Sequence, residues 1–244
     1  MRTKILAVIV VVALCVGGYL YKDTIMGFLG FHSSNEETFD ETIDVPIVEN
    51  QAMKNTDSNA TSFNITSSPS SPAGILNNSC SSGVIKDCVA LANLYLEGSS
   101  VAKDPIKAIN ILIKPCEDEN ADACALLANI YDKGLGVAES IYLYLGYANK
   151  ACNFGNMDSC YDLGVKYYRG NGELMPKDVM KSLYLFKKTC DKGKLEGCNN
   201  LAVIYNNGKN GIPRNLNLAK SLFENACKSG YQPSCDNLKK IFPN

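Results

Sequence analysis

Histidine is nearly missing from this 244-residue sequence, His32 being the single one, and tryptophan does not occur. A lone histidine cannot anchor the mixed ligand sets that catalytic metal centres use, and His32 has no cysteine beside it to activate as a nucleophile. Neither charge dominates: 24 Lys and Arg stand against 25 Asp and Glu, for a net charge of −1. The basic field that nucleic-acid binding requires is therefore lacking, and no nucleic-acid partner is expected. Close Cys-x2-4-Cys spacing, the mark of structural zinc sites, is lacking too.

Cysteine itself is abundant, with eleven residues. Apart from Cys15 they form five Cys-x7-Cys pairs: Cys80 and Cys88, Cys116 and Cys124, Cys152 and Cys160, Cys190 and Cys198, Cys227 and Cys235. The pairs recur every 36, 36, 38 and 37 residues. So regular a set of thiols reads as a disulfide framework in an oxidising compartment, with Cys15 left over. Metal ligation and free buried thiols are the competing readings; the spacing disfavours the first.

The N-terminus agrees with export. Arg2 and Lys4 precede an uncharged run from Ile5 to Tyr21, after which come Lys22 and Asp23. As a helix this run is roughly 25 Å long, close to what a bilayer core needs. Residues 1–31 are read as an N-terminal signal anchor that meets the membrane through residues 5–21, basic end inside. Val16-Gly17-Gly18 offers a small-residue cleavage site, and cleavage there would make the protein secreted. Residues 32–72 are polar and acidic, with seven carboxylates against Lys54 and no apolar periodicity, and are expected to be a disordered linker.

Residues 73–244 form the repeat domain. Aligning the second cysteine of each pair gives the frame Cys-x2-Leu-small-x2-aromatic-x2-Gly. Leu91, Leu127, Leu163, Leu201 and Leu238 share one column; Tyr95, Tyr131, Tyr167, Tyr205 and Phe242 share another. Offsets of 0, 3 and 7 make one buried stripe of an α-helix. Ala92, Ala128, Gly164 and Ala202 permit close helix approach, and Gly98, Gly134, Gly170 and Gly208 stand where the helix must stop. Twelve residues before the next cysteine lie Asp104, Ser140, Asp178 and Asn215, all favoured N-cap types, each opening a second helix. The cysteines thus fall in flanking turns of antiparallel helices, within disulfide reach.

These motifs resemble Sel1-like repeats, relatives of the tetratricopeptide repeat, and the cysteine pair in every unit resembles the Helicobacter cysteine-rich protein family. The resemblance covers about residues 80–244. It implies an all-α, right-handed αα superhelical solenoid with one disulfide per repeat, exported to the bacterial periplasm. Combined with the N-terminal anchor, this places the domain on the periplasmic side of the inner membrane. Some members of the family carry a β-lactamase or penicillin-binding label, so weak β-lactam hydrolysis or binding of peptidoglycan fragments is the alternative function implied. Serine β-lactamases need Ser-x-x-Lys with Ser-Asp-Asn and Lys-Thr-Gly elements. Here only Ser100-Val101-Ala102-Lys103 occurs, in an inter-helix loop, without the other two. No catalytic residue, metal ligand or cofactor is assigned.

Binding has a better basis in the residues. The second, sixth and ninth positions of each frame share the face left free by the core columns. In a tetratricopeptide-like superhelix that face lines the concave groove. The candidate groove residues are Asn93, Asn129, Asp132, Tyr161, Val165, Tyr168, Asn199 and Asn206, with Val89, Leu96, Ala125 and Val203 between them. Asparagines suit the backbone of an extended peptide, and Tyr161 with Tyr168 would anchor it. The expected partner is a protein or peptide.

Overall fold

The computed structural model describes residues 70–243. The apolar run 5–21, Cys15, His32 and most of the acidic linker lie outside these residues. Among the described residues ten helices follow one another: α1 (Pro72–Ser81), α2 (Ile85–Glu97), α3 (Pro105–Glu117), α4 (Ala121–Lys133), α5 (Ile141–Asn153), α6 (Met157–Arg169), α7 (Val179–Asp191), α8 (Leu195–Asn207), α9 (Leu216–Lys228) and α10 (Gln232–Ile241). No strand occurs among the described residues; isolated bridges from Asn171 to Glu173 and Met175 are the nearest approach to one. Each helix packs on its successor, as in an αα solenoid, and α2 also touches α4.

The second helix of each unit starts where the capping residues place it. Asp104, Ser140, Asp178 and Asn215 accept side-chain hydrogen bonds from the backbone N–H groups of Lys107, Leu143, Lys181 and Leu218 at 2.9–3.3 Å. The backbone N–H of each cap also donates to the carbonyl of the aromatic column, Tyr95, Tyr131, Tyr167 and Tyr205 in turn, at 2.8–2.9 Å. One loop closure is thus repeated four times, independent of loop length. Helix α1 departs from the twelve-residue count. Its cap is Ser71, whose Oγ accepts from Gly74 N–H at 3.1 Å, with Pro72 in the first turn. A start three residues earlier would put Pro72 where its missing N–H and its ring break the helical ladder.

All five cysteine pairs are disulfides, each joining the end of one helix to the first turn of the next with Cα separations of 4.5–4.8 Å. The short turns between them need a left-handed residue three positions after the first cysteine. Glycine fills that position in four units, while in the second it is Glu119, at φ 63°.

The leucine column is buried from Leu91 to Leu201, and the second-helix column of Leu112, Ala148, Phe186 and Phe223 packs opposite it. The aromatic column is less enclosed than its periodicity implies. Tyr95 is buried, but Tyr131, Tyr167, Tyr205 and Phe242 are half-buried, since they lie at the helix ends beside the loops. At Gly164 an added Cβ would stand 2.8 Å from Phe186 Cε1, which is why α6 tolerates no side chain there. A further apolar column lies in the loops: Met175 (1% exposed) and Ile212 are buried, while Val101 and Val137 at the equivalent positions pack against the first core.

The second repeat replaces the small residue of the second helix (Ala108, Ser182 and Ala219 elsewhere) with Tyr144, which is only 4% exposed. Its hydroxyl is buried without a hydrogen-bond partner among the described residues. Lys166 Nζ sits 4.6 Å from the ring centroid. Burial first, then the charges of Asp162 and Asp132, push the phenol's ionisation far above its ordinary range.

Candidate functional site

The candidate groove residues have different surroundings from repeat to repeat. Asn93 is exposed on α2, between the half-buried Val89 and Leu96, and Asn129 is half-buried on α4. Asp132 is held by a neighbour, its carboxylate 2.6 Å from Lys166 Nζ of α6. Asn199 is 8% exposed and works inside the stack. Its Oδ1 accepts from Ser234 Oγ and Asn237 Nδ2 of α10, both at 3.0 Å, so it is spent on holding the last helix in place. Asn206 is half-buried; its amide donates to Asn207 Oδ1 at 3.3 Å and its backbone carbonyl accepts from Arg214 Nε at 2.8 Å.

Tyr161, Val165 and Tyr168 are brought together. They line one side of a cavity of about 450 Å³ between α6 and α8, which Val203 closes from α8 and Phe186 closes from α7. Asp162, Arg169 and Asn200 complete the lining. These last three, and Phe186, were not among the sequence candidates. Asp162 and Asn200 occupy the third position of their frames and Arg169 the tenth, one step outside the second-and-ninth pattern. The signal available was only that neighbours of a groove position on a helix also border the groove.

Tyr161 is a wall and not a free anchor. Its ring tilts against Phe186 with centroids 5.8 Å apart, its hydroxyl accepts from Asn200 Nδ2 at 3.3 Å, and Lys194 Nζ lies 5.3 Å from the ring centroid. Tyr168 carries Lys177 Nζ at 4.9 Å from its centroid. Both rings are therefore oriented by cations before any ligand arrives.

The charges along this seam are mostly paired between successive repeats. Lys194 Nζ is 2.6 Å from Asp158 and 3.9 Å from Glu196. Asp162 is left over: it makes no hydrogen bond or ion pair among the described residues. It is open to solvent but stands in a concavity whose walls displace much of its hydration. That desolvation pushes its carboxyl above the usual range; Asp158 and Asp132 push the same way, against Lys194 and Lys166.

Ser100 and Lys103, the one Ser-x-x-Lys match, are both exposed on the loop between α2 and α3. Among the described residues no group of three or more His, Cys, Asp or Glu is arranged to hold a metal ion. No described helix is long and apolar enough to cross a membrane.

Comparison with known proteins places this geometry in context. A Sel1 repeat family model matches residues 86–116, 121–153, 158–194 and 195–231, together more than half of the chain. Among solved structures the chain is similar to a Sel1 repeat protein from Oxalobacter formigenes, 22% identical over 69% of this chain and 66% of that one, with a TM-score of 0.56. It is also similar to a protective antigen present in uropathogenic Escherichia coli strains that displays an SLR fold, 21% identical over 70% of this chain and 36% of that one, with a TM-score of 0.60. The chain thus spans 66% of the first protein's length and 36% of the second's. Cysteine rich protein B of Helicobacter pylori is 30% identical over 58% of this chain and 99% of its own length, with a TM-score of 0.41. A search of curated proteins finds no match. With five disulfides closing successive helices and four repeat matches that run from α2 to α9, the chain belongs to the Sel1 repeat family.

Proposed function

We propose that this protein is an exported adaptor that binds an extended segment of a protein partner in the groove between α6 and α8. The observation that carries the reading is the cavity itself. There candidate groove residues of one repeat, Tyr161, Val165 and Tyr168, meet a candidate of the next, Val203, around open space. Aromatic walls with a few polar groups are how peptide grooves combine contact area with orientation. Sel1 repeat proteins generally bind protein partners, which supports the class of ligand. Five disulfides form and persist in an oxidising compartment, and the apolar run 5–21 supplies a means of anchoring the domain at the periplasmic face of an inner membrane. The alternative, weak β-lactam hydrolysis or peptidoglycan-fragment binding, draws on the resemblance alone.

The test is selection of peptides from a random phage-displayed library on the full chain, followed by affinity measurement against Tyr168→Ala. Tyr168 is preferable to Tyr161, whose removal would also undercut Phe186 and Asn200. Selected peptides should bind Tyr168→Ala about tenfold or more weakly, the usual effect of truncating an aromatic anchor. Equal affinity for the variant, or steady β-lactam turnover abolished by Ser100→Ala, would overturn the reading.

A further inference from the structure

The groove holds two charges of opposite sign that its own residues do not neutralise. Asp162 and Arg169 both line the cavity, and neither makes a salt bridge or side-chain hydrogen bond among the described residues. Every other carboxylate facing Asp162 across the seam is already matched: Asp132 by Lys166 and Asp158 by Lys194, each at 2.6 Å. Seven residues apart on α6, Asp162 and Arg169 are about 10 Å apart along the axis and share nearly one face. Between them stand Val165 and Tyr168, with Tyr161 and Phe186 behind.

Resting on the groove reading above, we propose that this cavity selects a peptide segment carrying a basic side chain, which pairs with Asp162, and a carboxylate three residues away, which pairs with Arg169. The spacing follows from backbone geometry. In a polyproline II segment, residues three apart share a face and are about 9 Å apart, matching the separation on the helix. Aromatic-lined grooves are the usual receptors for that conformation, because it is already extended before binding. The environment of each charge fits its guest. Around Asp162, Asp132 is paired with Lys166 and Asp158 with Lys194, so Asp162 itself is the net negative charge that attracts an ammonium or guanidinium. Arg169 offers a planar fork that a carboxylate can meet with two hydrogen bonds.

The experiment uses the same random library on the full chain, on Asp162→Asn and on Arg169→Gln. Wild-type selection should enrich Lys or Arg with Asp or Glu three positions away. Asp162→Asn should lose only the basic preference and Arg169→Gln only the acidic one. The best wild-type peptide should bind Asp162→Asn about tenfold more weakly, while its lysine-to-norleucine analogue should bind both proteins alike. Enriched peptides that depend on Tyr168 but show no such charge pair would overturn this inference and leave the groove reading standing. Failure to enrich any peptide, or enrichment insensitive to Tyr168, would overturn both. Neither substitution removes a hydrogen bond or ion pair of the folded chain, so both variants should melt no lower than the wild type, which confirms that loss of binding is local.

Discussion

Replacing Glu119 by glycine should stabilise the protein, and the repeat supplies its own controls. Four of the five disulfide turns place glycine at left-handed φ, from 85° at Gly193 to 103° at Gly155, while Glu119 holds the same turn at φ 63° with a side chain. A left-handed residue with a Cβ costs roughly 1–2 kcal/mol. Glycine returns part of that gain through its larger entropy loss on folding, about 0.5–1 kcal/mol. The net gain is therefore about 0.5–1 kcal/mol, a melting-temperature rise on the order of 1–3 °C for a domain of this size. The Glu119 carboxylate makes no hydrogen bond or ion pair among the described residues, so little is lost with it. The converse change, Gly155→Ala, isolates the backbone effect, because an added Cβ there meets nothing within 4 Å. With the same entropy offset, it should destabilise by about 0.5–1 kcal/mol. Urea and thermal unfolding followed by circular dichroism measure both. A neutral or destabilising Glu119→Gly alongside a costless Gly155→Ala would refute the account of these turns as left-handed strain points.

Reduction should remove most of the stability. Each bridge spans a sequence separation of 8, worth about 2.5 kcal/mol in the chain-entropy model, so five approach the whole stability of an ordinary domain. Quenched alkylation should show the partly exposed pairs at Cys190–Cys198 and Cys227–Cys235 opening before the buried Cys116–Cys124 and Cys152–Cys160; identical melting with and without reductant would contradict this. Tyr144→Phe removes a buried hydroxyl that has no partner and should raise stability by about 1 kcal/mol, read from denaturant midpoints. Asp162→Asn should stabilise the free protein at neutral pH, because the folded state raises this carboxyl's pKa. The sign follows from linkage: the native state binds more protons between the unfolded value of 3.8 and the raised folded one, so stability falls as pH rises through that window. The advantage of Asp162→Asn should accordingly vanish below the unfolded value, and an advantage that persists in acid would show that desolvation is not its cause.

The periodic parts of this protein were readable from its residues because each repeat repeats the same physics. Cysteine, leucine and small-residue columns at helical spacing named the buried stripe, and Asp104, Ser140, Asp178 and Asn215 named the helix starts, since capping is a local backbone event. The disulfide partners followed for the same reason, as eight residues across a tight turn leave no other partner in reach. The loop column of Met175 and Ile212 stayed hidden because loops have no period to betray a buried face.

The groove was readable only in part. Tyr161, Val165 and Tyr168 share a helix face by arithmetic, but whether a groove position meets solvent or another helix depends on what stacks next. In the third repeat α8 sets Asn200 and Val203 opposite that face and leaves a cavity. In the fourth, α10 sets Ser234 and Asn237 against the equivalent Asn199 and turns it into a structural hydrogen-bond acceptor. Likewise Asp162 and Asp158 look alike in sequence, and only the reach of Lys194 decides that one is neutralised and the other left unmatched among the described residues. Residue types and helical spacing therefore determined the repeats, their ends and their bridges by themselves. Which polar groups remain unmatched was decided by contacts 34–39 residues apart in sequence, and those exist only once the repeats are stacked.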